Sequence, residues 1–182
     1  PVRLQATPYI TSYVNNVKDG QETLWGSSFS GGMDIRYGIN DAFTLDMTLI
    51  PDFGEAISDN QVLNLSPFEV RFDENRQFFK EGIELFNKGN LFYSRRIGGT
   101  PINYDNLDSR LNEGDSIISN PIETQLLNAT KVSGRNSNGL GVGVFNAVSR
   151  RSVAQVMDSE GVVREESTNP MTNYNVFVLD QN

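Results

Sequence analysis

The sequence predicts an all-β chain: an antiparallel, up-and-down segment of about six strands from a transmembrane outer-membrane β-barrel, with a long irregular insert containing short helical turns. Three observations carry this prediction. Apolar and polar residues alternate singly in six stretches, no apolar run approaches the roughly 18 residues of a membrane helix, and tight connections alternate with long ones. A barrel crosses lipid with alternating strands, so the missing apolar run does not exclude a membrane.

The first stretch, residues 2–14, sets Leu4, Ala6, Ile10 and Val14 against Arg3, Gln5, Thr7, Tyr9 and Thr11, with Pro8 marking an edge or bulge. Residues 33–39 set Met33, Ile35, Tyr37 and Ile39 against Asp34 and Arg36. Residues 43–49 set Phe43, Leu45, Met47 and Leu49 against Thr44, Asp46 and Thr48. The turn signal Gly38-Ile39-Asn40-Asp41 joins these two into a hairpin. A second pair, 126–134 and 139–148, flanks Arg135-Asn136-Ser137-Asn138-Gly139, and 172–179 closes the series with Tyr174, Val176 and Val178 on one side.

The connections are expected to run long (15–30), tight (40–41), very long (51–123), tight (136–138) and long (150–171). In an up-and-down sheet, alternate connections lie at the same end. One end then carries the short turns and the other the long loops, as periplasmic and extracellular connections do in outer-membrane barrels. Asp34, Arg36, Thr44, Asp46, Thr48, Lys131 and Ser133 would face a polar lumen. A soluble sheet with one wet face produces the same alternation. Six strands are too few to close, since bacterial barrels start at about eight, so the rest are expected from a longer chain of its own or from a partner. The abrupt start at Pro1-Val2-Arg3 agrees with a piece of something longer.

The chain therefore divides into residues 1–50 with three barrel strands, 51–123 as a plug-like insert on the extracellular or luminal side, and 124–182 with three more strands. Residues 51–120 hold 12 of the 23 acids and 7 of the 15 basic residues, and strict alternation disappears there. Phe53, Phe68, Phe72, Phe78, Phe79, Phe86, Phe92 and Tyr93 would give the insert a small core. A helical turn or two is expected near 73–86, with Asp73 as N-cap and Gly82 and Gly89 as stops.

Composition narrows the chemistry. The 182 residues include no His and no Cys, which excludes Ser-His-Asp and Cys-His catalysis, disulfides and the usual zinc sites. A net charge of −8 disfavours nucleic acid as a partner. Asp52, Glu55 and Asp59 are the candidate metal ligands, an all-oxygen set of the kind Ca²⁺ takes, although their spacing matches no EF-hand loop. Carboxylates of the insert would also serve glycoside hydrolysis, but loop acids are more often solvated or paired with Arg. Arg71, Arg76, Arg95 and Arg96, set among aromatics and acids, are the candidate ligand-binding residues, for an anionic group or a stacked sugar. Pairing with Glu69, Asp73, Glu74, Glu81 and Glu84 is the commoner fate of such guanidiniums. Trp25 reads as a membrane-interface aromatic or a loop anchor. Gly139, Gly141 and Gly143 leave room for a bulky group or allow curvature.

Several segments resemble one bacterial family: Gly32-Met33-Asp34-Ile35-Arg36-Tyr37-Gly38, Pro51-Asp52-Phe53-Gly54, Val62-Leu63-Asn64-Leu65-Ser66-Pro67-Phe68-Glu69, Glu74-Asn75-Arg76-Gln77-Phe78-Phe79-Lys80-Glu81-Gly82, Leu91-Phe92-Tyr93-Ser94-Arg95-Arg96-Ile97-Gly98 and Lys131-Val132-Ser133-Gly134-Arg135. The chain is similar, over nearly its whole length, to the domain of unknown function 5916 family. Gln77 and Lys80 depart from the proline and leucine of that pattern. The resemblance implies a large Gram-negative outer-membrane barrel preceded by a domain similar to family-9 carbohydrate-binding modules, and supplies no catalytic residue. On this reading the chain is a non-catalytic surface, transport or accessory element of the bacterial outer membrane in a glycan-related setting, with no cofactor. Its expected partners are outer-membrane lipid, further strands of its own longer chain, other surface proteins and a glycan. The alternative is a carbohydrate-active hydrolase or a soluble carbohydrate-binding module.

Overall fold

The computed structural model describes residues 3–19, 22–51, 71–90 and 92–181. The chain is all-β and antiparallel, with nine strands among the described residues: β1 (Leu4–Asp19), β2 (Glu22–Gly38), β3 (Phe43–Leu49), β4 (Ser116–Ser119), β5 (Leu126–Arg135), β6 (Leu140–Ser149), β7 (Ser152–Met157), β8 (Val163–Asn169) and β9 (Thr172–Gln181). Six of them form one open sheet in the order β1-β2-β3-β5-β6-β9, and β4-β7-β8 form a second, smaller sheet.

Two expected loops are strand instead. Residues 15–19 and 22–30 belong to β1 and β2, which pair without a register break from Leu4↔Tyr37 to Asp19↔Glu22. Gly26, Ser27, Ser30, Gly31 and Gly32 carry no apolar alternation, yet backbone pairing needs none. Residues 150–171 contain β7 and β8, a hairpin turning at Asp158–Val162 with Gly161 at φ 82°. Charged β8 offers no apolar stripe, which conceals it in the sequence. The even alternation of long and tight connections is therefore not what sets the topology.

The two tight turns form as asparagine-closed bends. Asn40 Oδ1 accepts from the amides of Ala42 (2.8 Å) and Phe43 (2.9 Å), and Asn136 Oδ1 from those of Asn138 (3.0 Å) and Leu140 (2.9 Å). Such side chains mimic a backbone turn. Gly139, at φ 83°, supplies the left-handed position of the second bend.

Cross-strand partners share a face, so the registers sort the large sheet into two surfaces. One carries Gln5, Thr7, Asp34, Arg36, Thr44, Asp46, Thr48, Lys131, Ser133, Arg135 and Asp180. The other carries Leu4, Ile10, Val14, Trp25, Phe29, Met33, Ile35, Phe43, Leu45, Met47, Leu49, Val132, Leu140, Val142, Val144, Val148, Phe177 and Leu179. Among the described side chains the second surface holds no charged residue. It is nevertheless open: Ile10 and Phe29 are each 73% exposed and Leu179 is 78% exposed.

The insert packs on the polar surface, where β5, β6 and β9 interrupt it with an apolar patch. Phe79, Phe86 and Ile97 are buried there with Leu126, Ala129, Phe145 and Ala147. The Phe145 ring lies 6.1 Å from those of Phe79 and Phe86 and 5.1 Å from that of Phe92. Gly141 and Gly143 make room for this contact: a Cβ at Gly143 would lie 3.0 Å from Phe86, and one at Gly141 2.9 Å from Leu85. Among the described residues of the insert the helical pieces are short 3-10 turns, at Gln77–Phe79, Lys88–Asn90, Ser94–Arg96 and Asp108–Arg110. Arg76, not Asp73, stands at the N-cap of the first, without a side-chain cap bond. Gly82 (φ 60°) and Gly89 (φ 73°) take left-handed backbone where the segment bends. The smaller sheet has its own core of Leu107, Ala154 and Val156, flanked by Leu111.

Candidate functional site

Alternation along β2, β3 and β5 brings Arg36, Asp46 and Lys131 into one cross-strand row, Arg36↔Asp46↔Lys131. The insert adds Glu81 from the far side. Arg36 Nε donates to Asp46 Oδ1 at 2.6 Å while Nη2 donates to Glu81, so one guanidinium joins strand to strand and sheet to insert. Gln77 also donates to Glu81. These two hydrogen bonds, the Arg36 one foremost, hold the Glu81 carboxyl below the ordinary carboxylate range.

Lys131 is fully buried, and its Nζ donates to the carbonyl oxygens of Phe78 and Glu81. A buried ammonium is tolerable only when acceptors replace its water, and the end of the first 3-10 turn supplies them. Ser133 Oγ adds a bond to the Gly82 carbonyl at 3.3 Å. At the tight-turn end of the sheet, Asp180 of β9 binds Lys88 of the insert at 2.6 Å and also takes Arg135 of β5.

Beside this row the insert and β1–β3 leave an open cleft of about 270 Å³. Gln5, Thr7 and Asp34 line its strand side, and Gln77, Phe78 and Glu81 its insert side. The row and the cleft together form the candidate site. Its charges are matched in pairs or by carbonyls, except that Asp34 has no ion-pair partner among the described residues. The arrangement is suited to orienting water and small polar solutes.

The four arginines singled out in the sequence divide between two places, Arg76 at Glu74 and the others around Tyr93. Arg76 is a buried fastener: it grips Glu74 through Nε (2.8 Å) and Nη2 (2.7 Å), and donates to the carbonyls of Ile97 (2.6 Å) and Ser94 (2.8 Å). Ser94 Oγ closes the ring on Glu74 at 2.5 Å, and the guanidinium lies 4.2 Å from the Phe79 ring centroid. Burial alone would raise the Glu74 carboxyl; the Arg76 and Ser94 hydrogen bonds outweigh it and leave the group below its ordinary value. Arg71 and Arg96 instead flank the Tyr93 ring, at 5.4 and 5.7 Å from its centroid, and are exposed. Arg95 is half-buried on the same turn. Asp52, Glu55 and Asp59 lie outside the described residues, as do Phe53 and Phe68. Among the described residues no three metal-ligating side chains gather in one place.

Arg36, Asp46 and Lys131 were legible in the sequence as residues of one polar face, but Glu81 and the Lys88–Asp180 tie were not. Nothing in local spacing tells which wall residue an insert side chain will reach.

The family model described as Domain of unknown function (DUF5916) matches residues 1–182. No curated protein and no solved structure matches the chain.

Proposed function

Since the chain belongs, over its whole matched length, to the family described as Domain of unknown function (DUF5916), we propose that it is part of the wall of a Gram-negative outer-membrane β-barrel. The insert lies against the inside of that wall. In this role the chain is a non-catalytic surface, transport or accessory element in a glycan-related setting, and further strands beyond β1 and β9 complete the barrel.

The observation that carries this reading is the partition of charge between the two surfaces of the large sheet. The open surface is free of charge among the described side chains and mostly apolar, broken by Asn128, Thr130, Asn146, Asn173 and Asn175, while the surface beneath the insert holds Asp34, Arg36, Asp46, Lys131, Arg135 and Asp180. A soluble monomer rarely leaves so large an apolar surface open to water; a barrel sets it against lipid and encloses the polar one. Dimensions agree. Strands β5, β6 and β9 have 10 residues each, within the roughly 9–11 that a tilted membrane strand needs. Trp25 and Tyr37 share the outward row of β2, 12 residues apart. At ~3.3 Å per residue and a tilt of about 45°, they stand ~28 Å apart along the membrane normal, close to the spacing of two aromatic girdles.

Trp25 is the single tryptophan of the chain, so its fluorescence reports on this surface alone in a single-tryptophan full-length protein. Refolded into vesicles, the protein should show Trp25 emission quenched by brominated lipid and not by a soluble quencher. A detergent-free, stable monomer whose Trp25 is quenched from water instead would overturn the wall assignment.

A further inference from the structure

The described residues of the insert, 71–90 and 92–123, pack on part of the wall. Their apolar contacts run to β5, β6 and β9 through Phe79, Phe86 and Phe92 on Phe145, and they reach β2 by the Glu81–Arg36 bond. On the β1–β2 side the same polar face continues as exposed hydroxyl, amide and carboxylate groups, Gln5, Thr7 and Asp34, and the cleft of about 270 Å³ opens between them and the insert. The two cations of the cleft are both engaged: Arg36 by Asp46 and Glu81, Lys131 by two carbonyl oxygens. Asp34 faces the cleft without an ion-pair partner among the described residues.

We propose that this cleft is a solute path through the barrel, running between the insert and β1–β2, and that it passes small hydrophilic solutes with a preference for cations set by Asp34. The proposal rests on the barrel reading and adds to it where the path lies and which charge it favours. Neutral hydroxyl and amide groups replace part of a solute's water without holding it. A lone carboxylate lining a cleft inside the barrel concentrates cations and excludes anions. The Arg36–Glu81 ion pair and the Lys131 hydrogen bonds beside it hold the insert to β2 and β5 of the same wall, so the path does not require the insert to leave.

The test is current through the full-length protein in planar bilayers under a KCl gradient. The wild type should show a reversal potential on the potassium side, and Asp34→Asn should move it toward zero while the channel still conducts. An unmoved reversal potential in Asp34→Asn, or an anion-selective wild type, overturns the proposal. Single cysteines in a cysteine-free background give a second readout. Thr7→Cys treated with a water-soluble cationic thiol reagent should lose conductance, whereas Ile10→Cys, on the opposite face of the same strand, should not react. If Ile10→Cys reacts as readily as Thr7→Cys, the barrel reading itself fails. If Ile10→Cys is protected but modified Thr7→Cys conducts as before, or the protein passes no current, the wall stands and the path is lost.

Discussion

Lys131 meets Phe78 twice: its Nζ donates to the Phe78 carbonyl oxygen and stands 4.3 Å from the centroid of the same residue's ring. With the second bond, to the Glu81 carbonyl, the end of the insert's first turn is pinned to the middle of β5. Lys131→Met keeps the bulk and removes the donor, stranding two carbonyls in a dry contact. The expected cost is about 2–4 kcal/mol, read as a lower urea midpoint and as protease cleavage within 71–100. An unchanged midpoint would mean that the apolar contacts alone dock the insert.

The fit of Phe86 against β6 makes a second prediction. In Gly143→Ala the new methyl would lie 3.0 Å from Phe86 Cε1 and 3.4 Å from Val178 Cβ, and crowding of this kind costs about 1–3 kcal/mol. Adding Phe86→Leu should return part of that loss, giving a coupling of about 0.5 kcal/mol or more in a double-mutant cycle. Strict additivity would show that the two positions do not touch.

The Glu74–Arg76–Ser94 ring has a pH signature. The Glu74 carboxyl is held below its ordinary value of 4.5, so its contribution is complete above about pH 4.5 and is lost as pH falls through the lower folded value. Acid titration of the wild type should therefore loosen residues 71–100 below that pH. Glu74→Gln should be weaker at neutral pH and lack this acid step. Hydrogen exchange at Ser94–Ile97 measures both, and an acid step of full size in Glu74→Gln would assign it to another carboxylate.

The outward surface gives a prediction that separates lipid from water. Val144 lies midway along β6 on the uncharged face. On a water-facing strand Val144→Lys should change stability by less than about 0.5 kcal/mol; at the middle of a bilayer it should cost about 2–4 kcal/mol. Unfolding titrations of the protein refolded in vesicles decide between them.

What the sequence revealed followed the reach of its signals. Alternation in 43–49 and 139–148 located β3 and β6, the first because one side is apolar and the other polar, the second because Val142 and Val144 alternate with Gly141, Gly143 and Phe145. Asn40 and Asn136 marked the bends because a side-chain oxygen does the work of a backbone one. The Gly141 and Gly143 pair was readable as space for a bulky group, and Leu85 and Phe86 fill it. Strand at 15–19 and 22–30 carries no sequence signal because Gly26, Ser27, Gly31 and Gly32 have nothing to alternate, and β8 carries none because Arg164, Glu165 and Glu166 break its pattern. Of the site, the polar row could be read from single strands, whereas the Arg36–Glu81 contact spans 45 positions and belongs to tertiary packing. Arg76, a candidate ligand-binding residue in the sequence, is held by Glu74 in the structure.

Strand β6 passes into β7 after only Arg150 and Arg151, and β8 into β9 after only Pro170 and Met171. The joints are held by Arg150 N on the Gln125 carbonyl at 2.8 Å and Asn103 N on that of Thr168 at 3.0 Å. One hairpin therefore has its tip in the small sheet and its root in the large one, with about 7 Å of chain at most in each joint. Such a piece behaves as a lever: a tug near Gly161 is carried to the β6–β9 ladder on which Phe79, Phe86 and Phe92 rest, because no slack lies between to absorb it.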